Sequence, residues 1–234
     1  MSISPLRTTG RRDEPFRFGD RHHAGTVLAG QLRHLAGRKD VVVLALPRGG
    51  VPVAFEVARA LGVAMDVFAV RKLGLPAHPE LAMGAIASGG MRVMNEDVVI
   101  RYRPTVAAIE AVTRAERIEL ERRERAYRNG QPAVSCEGRT VVLIDDGLAT
   151  GATMRAAVHA VRLLGSARVV VAVPVGARET CEALREVADE VVCALTPEPF
   201  SAVGLWYQDF SQTTDDEVRE LLSSYQVQRR QRSA

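Results

Sequence analysis

The chain has 234 residues, 47% of them hydrophobic, which is enough to bury the core of one α/β domain with additions. Its 31 basic and 28 acidic side chains are interspersed and leave a net charge of +3, and no motif that reads RNA or DNA is present, so the sequence argues against a nucleic-acid-binding protein. No apolar run or signal core indicates membrane insertion or export, and the three cysteines form no C-x-x-C pair, so we expect a cytoplasmic protein without disulfides or a zinc site.

The N-terminal region contains a charged segment followed by a helix. Residues 1–19 mix arginines with acids and prolines, which predicts a mobile arm. Asp20 can cap a helix that ends near Gly37. The apolar side of that helix is formed by Ala24, Val27, Leu28, Leu32 and Leu35.

The first predicted strand, residues 41–46, is continuously apolar, as expected for a strand covered on both faces of a parallel sheet. It is followed by Pro-Arg-Gly-Gly at 47–50 and then by a helical pattern. Arg48 therefore places a cation beside free N–H groups at a helix start, which suits a phosphate. A plain glycine turn is the alternative.

A third apolar run predicts a short strand over residues 66–70. Arg71 and Lys72 follow it directly. Ligands of open α/β sheets bind at the carboxyl ends of the strands, so this pair would attract a polyanion there. Ordinary surface charge is the other interpretation.

Residues 73–84 show neither a helical nor a strand period and are rich in glycine and proline, which predicts a long loop and a candidate lid. Glu80 is the one acid in it and is a candidate general base or base contact, with a capping or solvent role as the alternative. Residues 85–99 predict a β-ribbon that turns at the glycine pair 89–90.

A long helix is predicted over residues 105–128, charged nearly all round and steadied by pairs such as Glu121 with Arg125. We interpret it as a solvated or subunit-bridging helix. Farther along, residues 168–173 and 190–194 predict strands, with a helix from about Gly176 between them.

Three aromatic residues near the end of the chain, Trp206, Tyr207 and Phe210, could stack on a flat heterocycle or pack in a core or interface. A short helix over residues 215–222 and a basic tail follow.

The most informative stretch is residues 140–154. Its apolar strand, 141–144, ends in Asp145 and Asp146, and adjacent acids can address one ligand only where a strand ends. A loop of small and hydroxylated residues then leads into a helix, a geometry that binds anions through free N–H groups and the helix dipole. No Gly-Lys pair and no G-x-G-x-x-G fingerprint is present. Acids beside a phosphate cradle suggest a ligand with a diol next to a phosphate.

The run D-D-G-L-A-T-G-A-T at 145–153 resembles the 5-phosphoribosyl-1-pyrophosphate (PRPP) signature of type I phosphoribosyltransferases, in the adenine phosphoribosyltransferase form. The resemblance extends over residues 41–194 by element order. It implies an α/β fold with a central, mostly parallel twisted sheet and helices on both faces. The implied organisation is a domain at 20–224 with its core at 41–194, a β-ribbon or lid at 72–100, a hood-like segment at 195–224 and a basic tail at 225–234.

The resemblance also implies roles for individual residues. Asp145 and Asp146 would hold the ribose hydroxyls and offset positive charge at the sugar, and Mg²⁺ would be held mainly by the substrate with these two acids as direct or water-mediated ligands. The 5-phosphate would lie on Ala149, Thr150, Gly151, Ala152 and Thr153. The pyrophosphate would lie on Arg48, Gly49, Gly50, Arg71 and Lys72, in a loop that commonly carries a non-proline cis peptide. Together with the residues singled out from the sequence itself, Glu80 and the three aromatics, the catalytic candidates are Asp145, Asp146, Arg48 and Glu80, and the base-binding candidates are Trp206, Tyr207 and Phe210.

The leading hypothesis is a transferase that moves 5-phosphoribosyl from PRPP to a nitrogen acceptor, a nucleobase, with release of pyrophosphate. The alternative is a non-catalytic PRPP-sensing regulator on the same fold. A hydrolase is a weaker third option, because no G-x-S-x-G or H-E-x-x-H is present. Ala149 stands where the 6-oxopurine branch of the family has an acid, which disfavours hypoxanthine or guanine. We expect a homodimer.

Overall fold

The computed structural model describes residues 16–76 and 78–233. Within them the helices are α1 (Arg21–Gln31), α2 (Gly50–Leu61), α3 (Glu96–Tyr102), α4 (Val106–Arg128), α5 (Ala152–Leu163), α6 (Arg178–Leu184) and α7 (Asp215–Ser233). The strands are β1 (Val41–Ala45), β2 (Ala64–Val67), β3 (Val70–Leu75), β4 (His78–Ala87), β5 (Met91–Met94), β6 (Thr140–Ile144), β7 (Arg168–Val175) and β8 (Glu190–Leu195).

Five strands form a parallel sheet in the order β2-β1-β6-β7-β8. Every residue of β1 and β6 is buried, as the continuous apolar runs predicted. The chain moves outward from β1 to β2 and later returns to β6 on the other side of β1, so the strand order reverses between β1 and β6. These two strands end in register, Ala45 opposite Ile144, and α/β sheets bind ligands at such a reversal.

Alternating side chains of the sheet enter two separate cores, as the period of a strand requires. Val43, Ala45 and Ile144 pack against α1, α2 and α7 on one face. Leu44 and Leu143 pack against α5 and α6 on the other. Helices therefore cover both faces, and the expectation of a mostly parallel α/β fold is confirmed.

A second, antiparallel sheet is formed by β3, β4 and β5 and packs on α4 and α5. The prediction of a loop over residues 73–84 is wrong there, since most of that stretch lies in β3 and β4. The glycines and prolines of this stretch were interpreted as loop residues, but they lie at an irregularity within the two strands. The register shifts around Gly74, and the absence of a side chain there lets the Pro79 carbonyl oxygen approach closely. The predicted turn at 89–90 is confirmed, but the ribbon ends at Met94, before α3.

Both ends of the described chain are more ordered than the sequence suggested. Residues 1–15 of the predicted arm lie outside the described residues, whereas Phe18 is fully buried and bridges to Tyr207. The prediction of a short helix followed by a basic tail is wrong for residues 223–233, because α7 continues to Ser233. Tyr225 of this helix is buried, and its hydroxyl lies 3.0 Å from the Ala58 carbonyl oxygen. Among the described helices, none is both long and apolar enough to cross a bilayer.

Candidate active site

Two strand-to-helix loops lie side by side at the reversal of the sheet. The loop after β1 leads into α2 at Gly50, and the loop after β6 leads into α5 at Ala152. The loops are joined where the Leu46 N–H donates to the Ile144 carbonyl oxygen at 2.8 Å. Among the described residues, no side chain caps the amino end of either helix. The Gly50 and Val51 N–H groups at the start of α2 donate to the carbonyl oxygens of Leu46 and Arg48, so α2 offers the crevice mainly the positive end of its dipole. The start of α5 offers the same crevice both free N–H groups and a positive dipole end.

The loop after β6 is anchored to the protein at its first residues and is exposed to solvent at the residues that follow. The Leu148 N–H donates to the Val175 carbonyl oxygen at 2.9 Å, and the Thr180 hydroxyl donates to the Ala149 carbonyl oxygen at 2.7 Å. Gly151 has φ +71°, a conformation that favours glycine, and it turns the chain into α5. The residues predicted to bind the 5-phosphate lie on this loop, and four of them are exposed: Ala149, Thr150, Ala152 and Thr153.

The acid pair lies just below this loop. Asp145 Oδ1 accepts a hydrogen bond from the Asp146 N–H at 2.9 Å, and Asp146 Oδ2 accepts one from Arg21 Nε at 2.8 Å. The Tyr207 hydroxyl donates to the Asp146 carbonyl oxygen at 2.6 Å. Within residues 16–76 and 78–233, no group donates a hydrogen bond to Asp145 Oδ2 or Asp146 Oδ1. Each acid thus keeps one oxygen for a ligand.

Ionisation of the acid pair carries an electrostatic cost. Burial raises the pKa of Asp145 well above its ordinary value, and the adjacent Asp146 charge raises it further. Burial also raises the pKa of Asp146, while the Arg21 guanidinium opposes that shift. Burial, followed by the Asp146 charge, raises the pKa of Tyr207, so its hydroxyl remains a hydrogen-bond donor.

We therefore expect Asp145→Asn to increase thermal stability at neutral pH. A carboxyl whose pKa is raised in the folded state stabilises the fold below its unfolded pKa, and that stability is lost as pH rises through the folded pKa. The Asn oxygen can still accept the Asp146 N–H, so the variant removes only the charge. Thermal melts with a chelator present should show the variant at least ~2 °C above wild type at pH 7, since 1 kcal/mol is worth roughly 2–4 °C in a chain of this size.

The difference in melting temperature should shrink as pH falls toward 4, because both proteins are then neutral at position 145. The matched control is Asp216→Asn, whose side chain is 88% exposed and which should shift stability by no more than about 0.5 kcal/mol. A wild-type advantage at pH 7 would contradict the proposed charge strain.

The glycine loop after β1 packs directly on the acid pair. Its Pro47–Arg48 peptide bond is cis, as the resemblance implied. A Cβ at Gly49 would overlap Asp146 Oδ2 and lie 2.6 Å from its carboxyl carbon, so any larger residue must displace the Asp146 side chain or the loop. The Arg48 side chain is partly exposed, with Nη1 3.8 Å from Asp215 at the start of α7. The loop therefore brings backbone N–H groups and one cation to the edge of the crevice.

Gly49→Ala is expected to weaken PRPP binding by at least about 10-fold, because the new methyl group must displace Asp146 or the loop. Isothermal calorimetry with PRPP and Mg²⁺ measures the effect. The matched control is Gly30→Ala in α1, where a Cβ meets nothing within 4 Å and should stabilise the helix by roughly 0.5–1 kcal/mol. Equal PRPP affinity of Gly49→Ala and wild type would contradict the assignment of this loop to PRPP binding.

The predicted cation pair is not brought to the crevice together. β2 ends at Val67, so Arg71 and Lys72 lie inside β3 and not at the carboxyl end of a strand. As neighbours on a strand they face opposite sides. Arg71 Nε donates to Glu116 of α4 at 2.7 Å, and Lys72 Nζ donates to Glu80 at 3.2 Å. The Glu80 side chain is 99% exposed, so the structure places it on the ribbon surface.

The aromatic residues pack mainly against the protein. Tyr207 is buried between Phe18 and Phe210, with ring centroids 5.5 and 5.0 Å away. The Arg21 guanidinium carbon lies 4.0 Å from the Phe210 ring centroid. Trp206 is partly buried in the same cluster. The packing interpretation therefore holds for Tyr207, whose ring has no open face.

Sequence reasoning missed Arg21, which forms the ion pair with Asp146. Arg21 is the first residue of α1, directly after the capping residue Asp20. A cation in the first turn of a helix opposes the helix dipole, and that unfavourable placement was the only local signal that it has a partner elsewhere.

The acid pair fits Mg²⁺ as a partial ligand set. The two uncommitted carboxylate oxygens of Asp145 and Asp146 are hard donors of the kind this ion prefers. The described residues contain no group of three or more His, Cys, Asp or Glu side chains that could hold a metal by themselves. The ion would therefore need water and substrate oxygens to complete its shell.

Comparison with known proteins gives a consistent result. A family model described as "Phosphoribosyl transferase domain" matches residues 21–207. Two curated Mycobacterium tuberculosis proteins, "Putative phosphoribosyl transferase Rv0571c" (strain H37Rv) and "Putative phosphoribosyl transferase MT0597" (strain CDC 1551), are each 52% identical over 201 residues. That match covers 86% of this chain and 45% of each relative, so the chain spans about half of their length. The crystal structure of TT1426 from Thermus thermophilus is 45% identical with a TM-score of 0.79, covering 90% of this chain and 99% of that one.

Proposed function

Because the chain belongs to the phosphoribosyltransferase family, we propose that it transfers the 5-phosphoribosyl group of PRPP to a nitrogen of a nucleobase in the cytoplasm and releases pyrophosphate. One observation carries the proposal: the positive dipole ends of two helices flank an acid pair at the reversal of the sheet. PRPP has the matching chemistry, with a phosphate on one side of a sugar diol and a pyrophosphate on the other.

The 5-phosphate binds the loop after β6. Residues 149–153, all exposed except the half-buried Gly151, present backbone N–H groups at the start of α5, and Thr150 and Thr153 add hydroxyl donors. The anchoring of Leu148 to the end of β7 holds these donors in place before the ligand arrives. A preformed cradle of this kind loses little conformational entropy on binding.

The sugar binds the acid pair. In the reaction the bond from the anomeric carbon to pyrophosphate breaks, its electron pair leaves with pyrophosphate, and a carbon–nitrogen bond forms to the base, whose proton is released. Positive charge develops on the sugar in between, as in glycoside cleavage. Asp145 and Asp146 use their free oxygens for the ribose hydroxyls and offset that charge at short range.

The pyrophosphate binds the loop after β1, through the Gly49 N–H, the positive dipole end of α2 and the Arg48 guanidinium. Lys72 is the member of the predicted cation pair proposed to join it, because its partner Glu80 is 99% exposed and such a surface pair is weak. Arg71 is paired with Glu116 at lower exposure. Mg²⁺, when bound, neutralises charge on the leaving pyrophosphate, and Asp145 and Asp146 are the protein ligands proposed for it.

A PRPP sensor without catalysis is the second candidate. It is favoured by the position of Glu80, the proposed general base, which is exposed and paired with Lys72. The ring of Tyr207 is buried, so this residue, one of the three proposed to stack on a base, has no face free for one. A sensor needs the phosphate and sugar contacts but no acceptor site.

Pyrophosphate release with a panel of purine and pyrimidine bases, measured beside PRPP binding by calorimetry with Mg²⁺, separates the two candidates. Release that depends on both PRPP and one base establishes the transferase and identifies the acceptor. Binding of PRPP without turnover on any base supports the sensor. Absence of PRPP binding would refute both. The proposed homodimer is checked by light scattering on the same samples.

A further inference from the structure

Arg21 connects three separate parts of the crevice. It starts α1, and its Nε and Nη2 atoms each lie 2.8 Å from Asp146 Oδ2. Its Nη1 donates to the Ser211 carbonyl oxygen at 2.7 Å, and its guanidinium covers the Phe210 ring. Only 11% of the side chain is exposed. The planar fork is therefore used on several sides at once, which the flexible ammonium of lysine cannot reproduce.

These contacts hold one carboxylate in a defined orientation. Since Arg21 engages Asp146 Oδ2, the other oxygen of Asp146 is the one left for a ligand. The Tyr207 hydroxyl holds the backbone of the same residue through its carbonyl oxygen. Without Arg21 the Asp146 side chain would lose its only described side-chain partner and could rotate.

The same guanidinium also holds the segment over residues 207–211. The backbone of that segment pairs with the start of the described chain, where the Gln208 N–H donates to Phe18 at 2.8 Å and the Asp209 N–H donates to Gly19 at 2.9 Å. Arg21 is linked to both paired segments. It follows residues 18–19 directly at the start of α1, and it donates to Ser211 at the end of the 207–211 segment.

We propose that Arg21 is a positioning residue that orients Asp146 toward the ribose of PRPP and couples this carboxylate to the 207–211 segment. The inference rests on the proposed function for its ligand. It assigns Arg21 no contact with the reacting atoms.

The test compares Arg21→Met, which removes the charge and fork, with Arg21→Lys, which keeps the charge alone. Arg33→Met, an exposed arginine in the turn after α1, is the matched control. PRPP dissociation constants with Mg²⁺ should rise about 10-fold or more for Arg21→Met and by a smaller factor for Arg21→Lys. Amide hydrogen exchange at Gln208 and Asp209 should accelerate about 10-fold in Arg21→Met and remain at the wild-type rate in the control.

A double-mutant cycle distinguishes positioning from a general structural role. In an Asp146→Asn background, Arg21→Met should weaken PRPP binding by less than about 2-fold, since the carboxylate it orients is already gone. An equal loss in both backgrounds would overturn the positioning role. If Arg21→Met does not fold, the cycle is run with Arg21→Lys and the same criterion.

The outcomes separate the inference from the proposed function. A wild-type protein that binds no PRPP refutes the proposed function and, with it, the positioning of Asp146 for ribose. Wild-type binding with an unchanged dissociation constant in Arg21→Met refutes the positioning alone. Unchanged exchange at Gln208 and Asp209 refutes the coupling, whether or not PRPP binds.

Discussion

Replacing both acids of the pair, Asp145→Asn with Asp146→Asn, is expected to lower turnover by on the order of 10²-fold or more, the effect of losing a group that stabilises transition-state charge. The amides preserve the shape of the side chains and the acceptor for the Asp146 N–H. They remove the negative charge that opposes the positive charge on the sugar. The loss should therefore lie mainly in kcat, measured by pyrophosphate release at saturating PRPP.

Two controls keep this result interpretable. Asp216→Asn changes an exposed acid at the start of α7 and should leave turnover within about 2-fold of wild type. Circular dichroism and a thermal melt of the double variant establish that it is folded, since Arg21 loses its carboxylate partner there. Unchanged turnover in a folded double variant would remove these acids from the mechanism.

The central motif could be predicted from sequence because its signals are local. The buried strand, the acids at its end and the loop into α5 lie within residues 140–154, and their geometry follows from strand and helix periodicity. The loop after β1 was predictable on the same grounds. That the two loops adjoin follows from the position of β6 beside β1, which no local pattern specifies.

The features that were missed depend on contacts between distant parts of the chain. Arg21 and Asp146 are 125 positions apart, and their pairing requires α1 to dock on the same face as α2. The part of the ribbon over residues 73–84 was missed because glycine and proline were interpreted as loop signals, whereas Gly74 allows a close approach of two strands. The length of α7 was underestimated although Val218, Leu222 and Tyr225 continue one apolar stripe.

A buried ion-pair network at the end of α4 has the largest expected effect on stability. Asp66 of β2 and Arg128 of α4 are 8% and 10% exposed, with Arg128 Nε 3.0 Å from both Asp66 carboxylate oxygens. Arg128 Nη2 also donates to the Val67 carbonyl oxygen at 3.0 Å and lies 3.2 Å from Glu124 Oε1. The network fixes α4 to the point where the chain leaves the main sheet for the ribbon.

Arg128→Met is expected to destabilise the fold by roughly 3–5 kcal/mol, because it leaves two buried carboxylates without their cation. In a chain of this size that corresponds to a fall in melting temperature on the order of 10 °C, measured by calorimetry. The pair Arg122–Glu119 on the surface of the same helix should contribute far less, because solvent screens it.

Arg125→Met is the matched control on α4, since that side chain is 76% exposed and should change stability by no more than about 0.5 kcal/mol. Asp66→Asn combined with Arg128→Met should cost less than the sum of the single changes, because each single change strands a charge that the double variant removes. A loss below about 1 kcal/mol for Arg128→Met would mean that water solvates Asp66 and Glu124 when the cation is gone. The junction between sheet and ribbon would then be held by the apolar contacts of Leu120 with Leu73 and Ile86.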